Sequence, residues 1–162
     1  MKKAFCLSIF LLSLHFYSNA QTIEFYGNAS SIIASGVIIP KDSKMLWSSG
    51  VVSAIIDSTA KEGSVERFGN TKAQAINILE NFKKTLSSKG LSMKNVIMLR
   101  VYVAPDKWQN GIYDFKGWNE AYGMYFNNKE NPVKTTRSTI GIATLVSPEK
   151  LIEIEMVAVY PQ

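Results

Sequence analysis

A long amphipathic helix followed at once by a fully alternating strand restricts this chain more than any other pattern in it. Across residues 70–89, Ala75, Leu79, Phe82 and Leu86 recur at steps of four, three and four, so they share one helical face. Asn70 can cap this helix and Gly90 can end it. Across residues 95–104, Ile97, Leu99, Val101 and Val103 alternate with Met98, Arg100 and Tyr102, and Pro105 stops the run. An apolar helical stripe next to such a strand has to be buried as a helix layer on a sheet.

The rest of the chain supplies that sheet and a second helix. Strand patterns fall at residues 22–26, 36–39, 45–47 and 51–56, with a turn at 41–44. The break at Ser48-Ser49-Gly50 carries a glycine that allows a bulge or the close approach of another group. Residues 115–126 read as a helix with Phe115, Trp118, Tyr122 and Phe126 on one face. Asn131-Pro132 breaks the chain before two further strands, at 135–143 and 151–159, joined through Ser147-Pro148-Glu149-Lys150. The order is strands, helix, strand, helix, two strands. It predicts an α+β fold, a mixed β-sheet with two helices packed on one face. Apolar residues on both faces of the later strands predict that the other face is covered by a second copy of the chain.

Residues 1–20 stand apart. Lys2 and Lys3 precede an apolar stretch over residues 4–17, and Ser18-Asn19-Ala20 offers small residues for cleavage before Gln21. The expectation is a cleaved signal peptide, an exported and periplasmic chain, and a single domain over residues 21–162, with no membrane association after cleavage. Cys6 and His15 are the only cysteine and histidine in the sequence, and both lie in that segment. The domain would then have no disulfide, no thiol nucleophile, no Ser-His-Asp triad and none of the usual zinc sites, so no metal is expected. Losing Lys2 and Lys3 takes the formal charge from +5 to +3, too mild and too scattered to predict a nucleic-acid partner.

The chemistry that remains centres on the last two strands. Arg137 is the lone arginine of the first, and Glu153 and Glu155 stand in the second. The rigid arginine fork can hold a substrate carboxylate. A nearby glutamate can position or activate a water. The combination suggests cofactor-free hydrolysis of a small acid. The aromatic set Trp108, Tyr113, Phe115 and Trp118 is read as core or interface in preference to a ligand site, and Glu155 as a structural or interface charge.

Several pieces occur together in a recognisable order. They are Ser48-Ser49-Gly50 after a strand, the long helix ending in Lys89-Gly90-Leu91, and the strand around residues 96–103. Trp118-Asn119-Glu120-Ala121-Tyr122, the Arg137-Ser138 strand and Ile152-Glu153-Ile154-Glu155-Met156-Val157-Ala158-Val159 follow. In this the chain resembles the RidA family, also called YjgF or L-PSP, from about residue 45 to its end. The resemblance implies a chorismate-mutase-like fold and a homotrimer with clefts between subunits. It also implies a deaminase that needs no cofactor and hydrolyses enamine or imine intermediates (2-aminoacrylate or 2-imino acids) to a 2-keto acid and ammonia. Carried over residue by residue, Arg137 would grip the substrate carboxylate and Glu153 would orient the attacking water. Ser49, Asn119 and Thr139 would contact the substrate. Thr139 stands where the family often has cysteine, residues 36–39 lack an expected tyrosine, and the spacing from Arg137 to Glu153 is longer by one residue, which the loop at 146–150 can absorb. Two other readings compete: a non-catalytic protein that binds a small carboxylate such as a keto acid in the same cleft, and RNA cleavage.

Overall fold

The structure is a computed structural model that describes residues 22–161, so the signal peptide expected over residues 1–20 lies outside the described residues. In chain order the elements are β1 (Glu24–Tyr26), β2 (Gly36–Ile38), β3 (Met45–Trp47), β4 (Val51–Val52), α1 (Val65–Phe68), α2 (Thr71–Ser88), β5 (Val96–Val103), α3 (Phe115–Tyr125), β6 (Thr136–Gly141) and β7 (Ile152–Val159). A single 3-10 turn, Met93–Asn95, leads into β5.

Helix α2 organises the packing. Asn70 stands in extended backbone before it, and its side-chain oxygen accepts the Ala73 N–H at 2.9 Å. Ile78, Leu79, Phe82 and Leu86 are buried along its inner face. They join Leu99, Val101, Ile154 and Met156 of the sheet and Trp118, Ala121 and Tyr122 of α3 in one apolar cluster. Each such aliphatic side chain stabilises the fold by about 1.5 to 3 kcal/mol on burial. Both helices therefore cover one face, as the sequence predicts.

The main sheet runs β3-β7-β5-β6, with β4 also on β7. Only the β5–β6 pair is parallel; β7 is antiparallel to β3, β4 and β5. Between β3 and β4 the chain bulges. Trp47 faces Val157 and Val51 faces Ile154, so three residues, Ser48, Ser49 and Gly50, stand opposite two. Ser48 holds the bulge to β7: its hydroxyl accepts the Met156 N–H at 2.8 Å, and its own N–H donates to the Met156 carbonyl.

The structure differs from the sequence reading in three places, the unforeseen single-turn helix α1 being one. The strand expected over residues 51–56 stops at Val52, because later backbone donors turn away from the ladder. Ala54 N–H bonds the Asn77 side chain, and the Ile56 and Asp57 N–H groups bond the Arg67 carbonyl. The helix-free face is also not left wholly to another chain. The β1–β2 hairpin lays Ile23, Phe25, Val37 and Ile39 against Ile97, Val157 and Val159 and covers one end of it.

One buried polar side chain ties α2 to the start of β7. Gln74 is fully buried. Its Nε2 donates to the Gly69 and Glu149 carbonyls, and its Oε1 accepts the Leu151 N–H at 2.9 Å. Removing this amide strands the buried Leu151 N–H, at a cost of about 1 to 3 kcal/mol, and two partly exposed carbonyls that water can reach. Gln74→Ala is accordingly expected to lower unfolding stability by about 1 to 3 kcal/mol, measured by urea denaturation. A loss below about 1 kcal/mol would contradict the brace.

Candidate functional site

Strand β6 is the outer strand of the sheet and pairs only with β5. Arg137 stands opposite Leu99, Thr139 opposite Val101 and Gly141 opposite Val103. Those three β5 residues belong to the helix-side core, so Arg137, Thr139 and Gly141 all face the helices. Helix α3 passes over them. Trp118 Nε1 donates to Thr139 Oγ1 at 3.3 Å, and Arg137 Nη2 donates to Asn119 Oδ1 at 2.8 Å. The Tyr122 hydroxyl accepts the Thr135 N–H at 3.1 Å and fixes the start of the strand.

The guanidinium of Arg137 is half-buried between two rings. Its central carbon is 4.7 Å from the centre of the Tyr122 ring and 5.4 Å from that of Trp118. Its Nη1 is enclosed and has no hydrogen-bond partner among the described residues. No carboxylate among the described residues lies within ion-pair distance of it. Burial pushes its pKa below the ordinary arginine value, with Tyr122 acting in the opposite direction. The arginine is thus a charge with a neutral amide and two ring faces around it, and the ordinary structural role, pairing with an acid, is not filled. A hollow of about 520 Å³ is bordered by Ile32, Glu120 and the two residues Asn119 and Tyr122 that touch the guanidinium. Another hollow of about 520 Å³, between α2 and the end of α3 at Glu80, Met93 and Tyr125, lies away from these groups.

Glu153 is elsewhere. It stands opposite Tyr102 and Val52, while its neighbours Ile152 and Ile154 point into the helix-side core. It therefore occupies the helix-free face. Its carboxylate lies against Gly50: a Cβ at that position would fall 1.8 Å from Glu153 Oε1, so the bare glycine makes the contact possible. Ser49, exposed in the same bulge, is next to it in the chain. Glu155 shares the face but is taken, accepting from Arg100 Nη1 at 2.9 Å and from the Tyr102 hydroxyl at 3.3 Å. Within one chain the structure groups Arg137, Asn119 and Thr139, and separately Ser49 with Glu153. The two groups are two strands apart, about 10 Å within the sheet, and on opposite faces.

Sequence reasoning missed the walls of the arginine. Trp118 and Tyr122 are read from their spacing as a core stripe, and both are buried, yet each also gives a ring face to the guanidinium. It read Gly50 as allowing a bulge or the close approach of another group, and the structure shows both, but it did not identify the Glu153 carboxylate as that group.

A helix-on-sheet α+β domain with an uncompensated cation at its outer strand is the class that fold and site define. Residues 41–160 match the family model described as Endoribonuclease L-PSP, and the chain belongs to that family, which is the RidA/YjgF family. It is 34% identical over 89 residues to a RutC family protein of Saccharolobus solfataricus, covering 55% of this chain and 62% of that one. It is 35% identical over 88 residues to a RutC family protein of Aquifex aeolicus, covering 54% and 63%. The chain thus spans somewhat under two thirds of these curated relatives. A crystal structure of a Rid family protein of unknown function from Yersinia pestis covers 86% of this chain and 100% of its own, with a TM-score of 0.62 and 22% identity, and shares the fold. Escherichia coli TdcF, solved with bound serine, is 27% identical with a TM-score of 0.55, covering 80% of this chain and 95% of that one.

The helix that carries Asn119 is clamped by charge. Glu120 accepts from Lys116 on its own helix and from Lys72 of α2 at 2.8 Å. The two ammonium groups hold its pKa down to about 2, from an ordinary 4.5. A carboxylate with a lowered folded-state pKa stabilises the fold above its unfolded value and loses that contribution as pH falls. The difference in melting temperature between wild type and Glu120→Gln should therefore be constant above pH 4.5 and shrink between pH 4.5 and pH 2, read by thermal unfolding across that range. A difference that grows on acidification would contradict the clamp.

Proposed function

We propose that the chain is a hydrolytic deaminase of 2-imino acids and their enamine precursors. The observation that carries this reading is the enclosed, unpartnered Nη1 of Arg137. A half-buried cation lacking an acid partner favours an anion from outside, and its fork suits a carboxylate. Asn119 holds one arm of the fork, and the Thr139 hydroxyl, though it accepts from Trp118, keeps its own proton to donate to the substrate.

In the proposed reaction a water oxygen adds to the C=N carbon of the imine, which is electrophilic once protonated. A proton passes from that oxygen to nitrogen, the C–N bond breaks with its electron pair leaving on nitrogen, the remaining O–H gives up its proton as the C=O bond forms, and the products are a 2-keto acid and ammonia, which carries that proton away as ammonium. The electrophile is the substrate's own carbon, so the reading calls for no cofactor. Glu153 takes the role of orienting the water and accepting its proton. Because Glu153 and Ser49 lie on the opposite face from Arg137, the reading places the reaction in a cleft between copies, one giving the arginine and the other the glutamate. A homotrimer is the assembly the family resemblance suggests. Export of the chain is part of the same proposal: the protein recovered outside the cytoplasm should have an intact mass starting at Gln21, and one retaining Met1 would overturn it.

A second reading is binding without turnover. It is favoured by the anchor's completeness within one chain, where Arg137, Asn119 and Thr139 meet without Glu153. RNA cleavage, suggested by the family's description, has no such support, since residues 22–161 contain no histidine for acid–base work.

The test generates imino acids in situ with an amino-acid oxidase and lets semicarbazide compete for them. Wild type should divert imine from the trap, while Arg137→Ala and Glu153→Ala should each lose about 100-fold or more. If wild type diverts none but binds keto acids, with binding lost in Arg137→Ala and kept in Glu153→Ala, the binding reading replaces the hydrolytic one.

A further inference from the structure

Two exposed aromatic rings lie farther along the strand that carries the arginine and take no part in the chemistry above. Tyr113 and Phe115 stack with ring centres 6.0 Å apart and planes 12° apart, and both are about 40% exposed. They lie over Gly141: a Cβ there would be 3.1 Å from the Tyr113 ring and 3.5 Å from that of Phe115. Gly141 faces the same way as Thr139 and Arg137, so arginine, hydroxyl and ring pair follow one another along one side of the outer strand. Helix α3 gives the same order. Phe115 precedes Trp118 by three residues and Asn119 by four, which sets their Cβ atoms about 5 to 6 Å apart.

The chain that carries the rings is braced on both sides of Tyr113. Asp106 is fully buried, and its carboxylate accepts from the Trp108 N–H and from Gln109 Nε2. Its backbone N–H bonds the Ile112 carbonyl, and its own carbonyl accepts from Gly111. Asn110 and Gly111 take the left-handed conformations, φ 56° and 76°, that close this loop. Asp114 then caps α3 through the Gly117 N–H at 2.7 Å. A flat apolar ledge on a braced loop, one helical turn from the Asn119 that holds the guanidinium, matches an acid whose side chain is a planar ring.

Resting on the carboxylate-anchor reading of Arg137, we infer that Tyr113 and Phe115 form the side-chain subsite and select 2-imino or 2-keto acids bearing an aromatic side chain over those bearing a methyl group. The carboxylate binds the guanidinium, C2 lies near Thr139, and the ring of the ligand stacks on the exposed ledge. A contact of this kind favours the aromatic ligand about tenfold.

The experiment is calorimetric titration of the purified protein with pyruvate and with phenylpyruvate. The variants are Arg137→Ala, the double variant Tyr113→Ala/Phe115→Ala and the double variant Tyr113→Leu/Phe115→Leu, which keeps apolar bulk without a ring. Circular dichroism and sedimentation monitor fold and assembly. The expected result is binding of both acids that is lost in Arg137→Ala, with phenylpyruvate about tenfold tighter and that ratio falling toward one in both double variants. Arginine-dependent binding with equal affinities, or a ratio the double variants leave intact, overturns the ledge and leaves the anchor standing. Binding of neither acid, or binding indifferent to Arg137, overturns both. A folded leucine variant with a changed sedimentation coefficient makes the rings a subunit contact and also overturns the ledge.

Discussion

The antiparallel pairing of β5 with β7 is the constraint from which the rest of the molecule follows. Both strands are central, and each sends alternate residues into the helix layer. Val101 faces Ile154 and Tyr102 faces Glu153. That one register decides which groups meet α3 and which meet the helix-free side. Strand β6 inherits it through its parallel pairing, Leu99 with Arg137 and Val101 with Thr139. A slip of one residue would send Leu99, Val101 and Val103 out of the core and Arg100 into it, so the buried helix face locks the register. The bulge at Ser48-Ser49-Gly50 absorbs one extra residue on the other side of β7 and places a bare glycine under Glu153.

Two arginines on adjacent strands show what that register does to charge. Arg100 points to the helix-free face, where Glu155 meets it at 2.9 Å. Arg137 points to the helices and, among the described residues, meets a neutral amide and two rings but no acid. Cation–ring contacts stabilise by about 0.5 to 2 kcal/mol each. Removing a guanidinium from water costs several kcal/mol even after relaxation. The two rings and the Asn119 amide offset part of that cost, and no acid among the described residues offsets the rest. Under the proposed reading, a bound carboxylate is the group that would restore the balance.

Much of the fold was legible because the long elements are periodic and punctuated. The helix at Thr71–Ser88 and the strand at Val96–Val103 carry caps or stops at their ends and unbroken alternation within. Residues 51–56 misled because Val51, Val52, Ile55 and Ile56 suit a strand by type, while the partners of the following backbone N–H groups come from Asn77 and Arg67, distant in sequence. The short helix Val65–Phe68 had no pattern to show; it has a single turn and depends on the Ser64 cap. In the site, the grouping of Arg137 with Thr139 follows from alternation alone. The role of Trp118 and Tyr122 did not, since a ring can fill a core with one face and meet a cation with the other. The separation of Glu153 from Arg137 needed strand order: nothing in the spacing says that β5 runs between them.

That separation divides the chemistry of the domain in a definite way. The group of Arg137, Asn119 and Thr139 is built wholly from β6 and α3 of one chain. The glutamate stands on a face that the β1–β2 hairpin covers only at its Val157 and Val159 end, leaving Trp47 59% exposed and Ile140 52% exposed. Exposed apolar groups of that size beside a carboxylate are what a second copy would cover, and covering them would strengthen any charge interaction at Glu153 by excluding water. Under the proposed reading, recognising the acid needs one chain, whereas hydrolysing the imine needs the face of another. Binding and turnover are then separable properties of the same sequence, and loss of assembly would abolish the second before it touched the first.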